Sequence, residues 1–256
     1  MKFFDKELTK TGFGEFPQIG GVMISKMVVD EHVVPRFMYR EKRTRRDDSG
    51  WRIFTGFETD EYLHNSYNMA LYEPATIVKI DPAIAPLLLK GVGSVYEKDD
   101  DNKWNRVTDF VIEDDFMMSH KLTDNWLVDI NNLFERRVEE NGDLLFTTGD
   151  KSVRVVVWTD DNKSKEEIFA EYKNMIATRD QSKSATLEQF DFSTADVAKT
   201  GYRIQESEGE RTYSVIYGFS INGNEIIQTA LYFDDEADLN WALETWKSIR
   251  LAKDQS

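Results

Sequence analysis

All five prolines of this 256-residue chain lie before residue 87, and the rest of the chain contains none. Proline fixes φ and removes a backbone donor, so a proline-free stretch suits paired strands and uninterrupted helices better than a proline-containing one. The contrast predicts two differently built units, joined in the polar segment 113–125. We therefore predict one domain at residues 1–115 and a second at residues 120–256. A chain of this length can give each domain its own buried core.

The second domain carries the clearer signals of secondary structure. The pairs Asn141-Gly142 and Asn222-Gly223 lie between apolar runs and predict β-hairpins, the first with a type I′ turn. The β-branched run 153–159 predicts a central strand. Residues 164–167, Ser-Lys-Glu-Glu, form a capping box that predicts a helix, and the apolar spacing after residue 234 predicts a closing helix.

The first domain is predicted to contain strands at residues 21–29, 36–40 and 50–57. A helix is predicted to begin at Pro82 with Asp81 as its N-cap, and a hairpin is predicted around the acidic tip 97–103. Both domains therefore belong to the α+β class, each a mainly antiparallel sheet packed with a few helices.

Charge and composition narrow the classes of partner. The chain has 47 acidic and 32 basic residues, a formal charge of −15, and no cysteine. This charge argues against binding of nucleic acids and anionic membranes, which need a basic surface, and favours a basic protein partner. Without cysteine there are no disulfides, thiolate nucleophiles or iron–sulfur clusters. Residues 1–16 lack the apolar core of a signal peptide, so we expect a cytoplasmic location.

One segment opposes the acidic character of the chain. Residues 36–46 contain six basic side chains and only one acidic one, Glu41. This segment is either a contact for phosphate or an acidic partner, or an exposed loop balanced by Asp47 and Asp48.

No motif in the sequence indicates catalysis. The three histidines lack metal-ligand spacing, and the acidic tip at residues 99–102 lacks the glycine and glutamate of a calcium loop. We predict no enzyme activity, no catalytic or metal residues and no cofactor. One alternative is a hydrolase site made of Asp60, Glu61 and His64, because spacing at i and i+4 places Asp60 and His64 on one helical face.

Several short motifs occur in order between Val22 and about residue 110. They are Met23-Ile24-Ser25-Lys26, Met38-Tyr39-Arg40, Asp48 to Gly56 (DSGWRIFTG), Asp60-Glu61-Tyr62, Asn68, Ile80-Asp81-Pro82, Pro86-Leu87-Leu88 and Gly93 to Glu97 (GSVYE). In this order they resemble the immunity protein 33 family of bacterial polymorphic toxin systems. The resemblance implies a small α+β domain that neutralises a toxin without catalysis of its own.

The second half resembles the Mog1/PsbP-like α+β fold. The resemblance rests on Asp124-Asn125-Trp126, the hairpin at Asn141-Gly142, the capped helix and the closing helix with Trp241 and Trp246. It implies a fold and no particular function.

A toxin inhibitor needs complementary charge and a few aromatic anchors. The predicted partner-binding residues are four aromatic anchors and the carboxylates around them: Trp51, Tyr62, Tyr67, Tyr72, Glu58, Asp60, Glu61 and Glu73. Core packing is the alternative for Trp51, and a solvated loop is the alternative for residues 58–61. The predicted function is therefore that of an immunity protein that binds a basic toxin, for example a nuclease. An adaptor or secretion-accessory binding protein is the other non-catalytic hypothesis.

Overall fold

The computed structural model describes residues 8–11, 14–17, 19–209 and 211–252. The chain divides into two compact units, Met1–Asp115 and Phe116–Ser256. Most of residues 1–16, on which the expected location depends, lie outside the described residues.

The first unit contains eight strands and three short helices among its described residues. The strands are β1 (Leu8–Thr11), β2 (Gly14–Pro17), β3 (Gly21–Ser25), β4 (Phe37–Arg40), β5 (Asp48–Phe54), β6 (Met69–Tyr72), β7 (Val95–Lys98) and β8 (Trp104–Arg106). The helices are α1 (Lys26–Val29), α2 (Asp60–His64) and α3 (Pro74–Ile80). Six strands form one sheet in the order β6-β3-β5-β4-β7-β8, while β1 and β2 pair separately. Only β3 and β5 run parallel in this sheet.

One face of this sheet carries the core of the first unit. Neighbouring strands contribute fully buried side chains from alternate positions, as expected for a sheet covered on that face: Val22, Ile24, Met38, Trp51 and Ile53. Val28, Ile77, Ile84 and Leu88, from helical segments, pack against them. The Trp51 side chain is 0% exposed, and its Nε1 donates to the Leu88 carbonyl oxygen at 3.0 Å.

Two predictions for the first unit are wrong. The predicted strand 21–29 ends at Ser25, because Lys26–Val29 forms α1 and buries Val28. The predicted helix at Pro82 is a single 3-10 turn, Pro82–Ile84, although Asp81 caps it as expected by accepting from the Ala83 amide. The longer helix in this region is α3, whose run Thr-Ile-Val is typical of strands rather than helices.

The second unit is built mainly on one large antiparallel sheet. Its strands are β9 (Met117–Lys121), β10 (Trp126–Asn131), β11 (Glu135–Val138), β12 (Leu144–Thr147), β13 (Ser152–Thr159), β14 (Thr186–Asp191), β15 (Ala198–Glu208), β16 (Arg211–Asn222), β17 (Glu225–Phe233) and β18 (Arg250–Leu251). Seven strands follow the order β11-β12-β13-β17-β16-β15-β14, and β18-β10-β9 form a smaller sheet. The helices are α4 (Lys165–Ala177) and α5 (Leu239–Lys247). The α+β class expected for both units is confirmed.

The two helices of the second unit cover opposite faces of the large sheet. On one face, Tyr172 of α4 stacks on Phe219 at a ring separation of 4.3 Å. On the other, Trp246 of α5 lies against Gly201 and Gly218. Gly218 and Phe219 are neighbours on β16, so their side-chain directions point to opposite faces. The predicted capping box at Ser164 and Glu167 is present in full.

Both predicted hairpins of the second unit form, and the first has a different turn from the one expected. The first connection spans residues 139–143, and only Gly142 in it has a positive φ, +88°. A type I′ turn needs two such residues, so that turn assignment is wrong. In the second hairpin Asn222 pairs with Glu225, which leaves Gly223 and Asn224 as the two turn residues.

A buried lysine closes the carboxyl end of α5. Lys199 on β15 is 3% exposed, and its Nζ donates to the Lys247 carbonyl oxygen at 2.6 Å. Burial and the nearby charge of Arg250 lower the pKa of Lys199 to about 8. A lysine in the unfolded chain has a pKa of about 10.4. The folded chain therefore loses this proton first, and the cost of burying the charge disappears as the pH rises above about 8.

This lysine predicts a pH dependence of stability. Relative to Lys199→Met, the wild-type second unit is expected to gain about 1–2 kcal/mol in free energy of unfolding between pH 7.5 and 9.5. Urea titrations of both proteins at the two pH values measure the gain. A difference between the two proteins that stays constant with pH would show that Lys199 does not lose its proton in this range.

Candidate functional site

Strand directions bring three connections to one edge of the first sheet. Because β3 and β5 are parallel, both end at this edge, and the antiparallel strands β4 and β6 begin there. Strand β7 runs antiparallel to β4 and therefore also ends there. The connections 26–36, 55–68 and 99–103 consequently lie at the same end of the strands. We call the surface that they form the acidic edge.

Hydrogen bonds join these three connections directly. The backbone amide of Arg36 donates to the Phe54 carbonyl oxygen at 2.9 Å, and Arg36 Nη2 donates to the Asp99 carbonyl oxygen at 3.4 Å. The Tyr62 hydroxyl accepts from the Met27 amide at 3.3 Å. The acidic edge is thus one connected surface rather than three separate loops.

The acidic edge combines negative charge with exposed apolar side chains. Its three connections hold eight acidic residues and three basic ones. Four large apolar or aromatic side chains are exposed on it: Val34 at 51%, Phe57 at 64%, Leu63 at 42% and Tyr67 at 80%. Exposed aromatic side chains among charges are typical of protein contact surfaces.

Glu58 holds one connection of the acidic edge in shape. Its carboxylate accepts from the amides of Thr55 and Gly56 at 2.8 and 2.9 Å. Burial acts to raise the pKa of Glu58, but these bonds and one from Ser25 outweigh it and hold the pKa below its ordinary value. Gly56 has a φ of +81°, which glycine adopts without strain. Glu58 is therefore a structural carboxylate at the point where β5 ends.

The predicted aromatic anchors occupy different environments. Trp51 belongs to the core, so the prediction that it contacts a partner is wrong. Tyr62 is half-buried and bonds within the edge, since its hydroxyl donates to the Asn68 carbonyl oxygen at 3.3 Å. Burial and the charges of Asp30 and Tyr62 raise the pKa of Tyr72, which is half-buried beside the core. Tyr67 is the most exposed of the four anchors.

The predicted carboxylates are not all at the same edge. Asp60 and Glu61 are exposed in the first turn of α2, where the Thr59 side chain caps the helix. Glu73 is exposed but precedes α3, after β6 has crossed to the opposite edge of the sheet.

The alternative hydrolase site is only partly assembled. Asp60 and His64 do lie on one helix, but His64 Nδ1 donates to the backbone carbonyl of Asp60 rather than to a carboxylate. Asp60, Glu61 and His64 are all exposed. Within the described residues, no group of three or more histidine or acidic side chains is arranged to hold a metal ion.

Sequence reasoning missed part of the acidic edge. Val34, Phe57 and Leu63 were not predicted, nor was the contribution of Asp30 and Glu31. Phe57 directly follows Gly56 at the end of a predicted strand, and a large apolar residue next to such a glycine is a signal that could have indicated it.

The basic segment 36–46 begins at the acidic edge with Arg36, continues as β4 and ends at the opposite edge of the sheet. In β4, Arg40 Nε donates to the Ser49 carbonyl oxygen at 2.9 Å. The connection 41–47 carries exposed Arg43, Arg45 and Arg46, with Asp47 3.9 Å from Arg45. The first unit therefore has a negative edge and a positive edge.

Comparison with known families identifies the region that contains the acidic edge. Residues 22–108 match the family model of the Immunity protein Imm33 domain. This confirms the resemblance expected for the first half, and all three connections of the acidic edge fall inside the match. No curated protein sequence matches the chain.

Solved structures with a similar fold have low sequence identity. One is a Bacteroides thetaiotaomicron protein (11% identity, TM-score 0.38, covering 51% of this chain and 46% of that one). Others are cyanobacterial PsbP from Synechocystis (8%, 0.41, 57% and 97%) and the Ran-binding protein Mog1p of Saccharomyces cerevisiae (9%, 0.35, 54% and 96%). They include a PsbP and a Mog1 protein, after which the fold expected for the second half is named. They carry no functional information at this level of similarity. Among the described residues no helix is long and apolar enough to cross a membrane.

Proposed function

We propose that this chain is a cytoplasmic, non-catalytic immunity protein that binds and neutralises a basic toxin through the acidic edge. The observation that supports this proposal best is the position of the acidic edge within residues 22–108, the part of the chain that matches the immunity protein domain. The charges supply attraction over a distance, and the exposed apolar side chains supply contact area.

The charge pattern favours a particular class of toxin. An enzyme that acts on nucleic acid must present basic side chains to phosphates. An acidic surface with aromatic anchors can occupy such a site by offering carboxylates in place of phosphates. We therefore propose a nuclease as the toxin. Electrostatic steering between the two proteins would speed their association at low salt.

Charge reversal at the acidic edge tests the proposal. The double variant Asp60→Lys/Glu61→Lys is expected to weaken binding of the toxin-like protein encoded by the neighbouring gene about 10- to 100-fold, because both residues are exposed and neither supports the core. Co-expression in growing cells should show lost protection, and calorimetry on the purified pair should show the lost affinity.

A matched control separates local contact from net charge. Glu140→Lys/Glu166→Lys makes the same change in net charge at two exposed residues of the second unit, Glu166 being, like Asp60 and Glu61, in the first turn of a helix. This variant is expected to leave protection intact. The proposal fails if the wild-type chain gives no protection against that neighbour, or if the two double variants lose affinity equally.

A further inference from the structure

Four tyrosines lie side by side on the large sheet of the second unit, and we call them the tyrosine patch: Tyr202, Tyr213, Tyr217 and Tyr232. They come from the three adjacent strands β15, β16 and β17. Tyr202 and Tyr217 are paired in register and stack at a ring separation of 5.4 Å. Tyr213 and Tyr232 lie 6.2 Å apart. All four side chains are half-buried, above the buried Ile204, Val215 and Ala230.

The tyrosine patch lies on the same sheet face as α4, next to the part of the face on which α4 packs. Residues at alternate positions share a face, and Tyr217 is two residues from Phe219, on which α4 stacks. The apolar cluster between α4 and the sheet contains Ile168 of α4 together with Ile221 and Ile226. The cluster that includes the tyrosines contains no helix residue among those described. In the described residues, the part of the face that holds the four tyrosines is therefore covered by their rings and not by a helix.

The hydroxyl groups of the tyrosine patch are engaged within the chain. Tyr217 donates to Tyr232, and Tyr213 donates to the Glu206 carboxylate at 3.2 Å. Burial, together with the charge of Glu206, raises the pKa of Tyr217, so this phenol stays neutral. The exposed parts of these half-buried rings are therefore the surface that the tyrosine patch presents.

The chain itself shows what these ring faces attract. The guanidinium carbon of Arg179 lies 5.4 Å from the centre of the Tyr202 ring, within the range of a cation–π interaction. On the same face, Arg154 is paired with both Asp143 and Glu139. With Glu206 added, these described side chains comprise three carboxylates and two guanidinium groups. The sequence after residue 125 carries 25 acidic and 15 basic residues, so its field also draws cations.

We propose that the tyrosine patch is a second contact surface, which binds an arginine-rich segment of a protein partner by stacking guanidinium groups on its rings. This surface lies on a different unit from the acidic edge and does not depend on the proposed function. Arginine suits it better than lysine, because a planar guanidinium can stack on a ring and bond to a carboxylate together.

Titration of the full chain with a nona-arginine peptide tests this proposal. The ring resonances of the ten tyrosines, labelled with carbon-13 and followed by NMR in about 0.15 M salt, report each site separately. We expect saturable shifts at Tyr202, Tyr213, Tyr217 and Tyr232. A nona-lysine peptide of equal charge should bind there about five-fold more weakly. The Tyr67 resonance reports binding at the acidic edge in the same experiment.

A double variant links those shifts to the rings themselves. Tyr217→Leu/Tyr232→Leu removes both members of one hydroxyl pair together and keeps an apolar surface. Binding read at Tyr202 and Tyr213 should weaken about ten-fold, while Tyr67→Leu should leave it unchanged. The proposal is overturned if only Tyr67 shifts, if lysine binds as well as arginine, or if the double variant binds like wild type.

Discussion

Replacing Asp81 by alanine is expected to lower the free energy of unfolding of the first unit by about 3–5 kcal/mol. Asp81 is 9% exposed and its Oδ2 lies 2.7 Å from Nζ of Lys98, which is 8% exposed. The same oxygen accepts from Trp104 Nε1 at 2.9 Å. Removing the carboxylate leaves a buried ammonium without its counter-charge and a half-buried indole donor without an acceptor. Hydrogen exchange at the amides of β5 measures the loss within this unit.

The double variant Asp81→Leu/Lys98→Met is the control for this interpretation. It removes both charges and fills the space with apolar groups, which often costs little. It should therefore be clearly more stable than Asp81→Ala alone. If Asp81→Ala costs less than about 1 kcal/mol, or the double variant is no better, the ion pair does not hold the hairpin of β7 and β8 to the core.

Gly218→Ala is expected to destabilise the second unit by about 3 kcal/mol or more. A methyl group there would lie 2.4 Å from Cε2 of Trp246, which is 0% exposed and cannot move aside without disturbing the core. Gly201, paired with Gly218 across β15 and β16, has the same ring 2.6 Å from its own Cβ position. Urea unfolding followed by the near-ultraviolet signal of the buried tryptophans measures the loss.

Two further variants separate overpacking from a general effect of removing glycine. Gly142→Ala has open space around its Cβ and a positive φ, so only the left-handed backbone costs it about 1–2 kcal/mol. Trp246→Phe in the Gly218→Ala background should recover part of the lost stability, since the smaller ring leaves room for the methyl. Equal losses in Gly218→Ala and Gly142→Ala would contradict close packing of Trp246 as the cause.

Local signals predicted much of the second unit. The predicted strand 153–159 lies within β13, and the capping box marks the start of α4. These features depend on short-range chemistry that a sequence displays directly. Gly201 and Gly218 carried no such signal. They are required because Trp246, in a helix distant in sequence, packs against them.

The first unit was harder to predict for the same reason. Trp51 sits in a strand that alternates in the expected way, yet its burial depends on Leu88 in a distant turn. The acidic edge depends on the parallel pairing of β3 and β5, and nothing local in the sequence specifies that pairing. The sequence could therefore supply Asp60, Glu61 and Tyr67 as candidates but could not assign Asp30 or Asp99 to the same edge of the sheet.

Hydrogen exchange of the full chain, with and without the purified toxin-like protein of the neighbouring gene, tests most directly whether the acidic edge is the contact surface. Protection on binding is expected in residues 26–36 and 55–68, with no change in the connection 41–47 at the opposite edge. Protection confined to residues 41–47 or to the second unit would contradict this assignment of the binding surface.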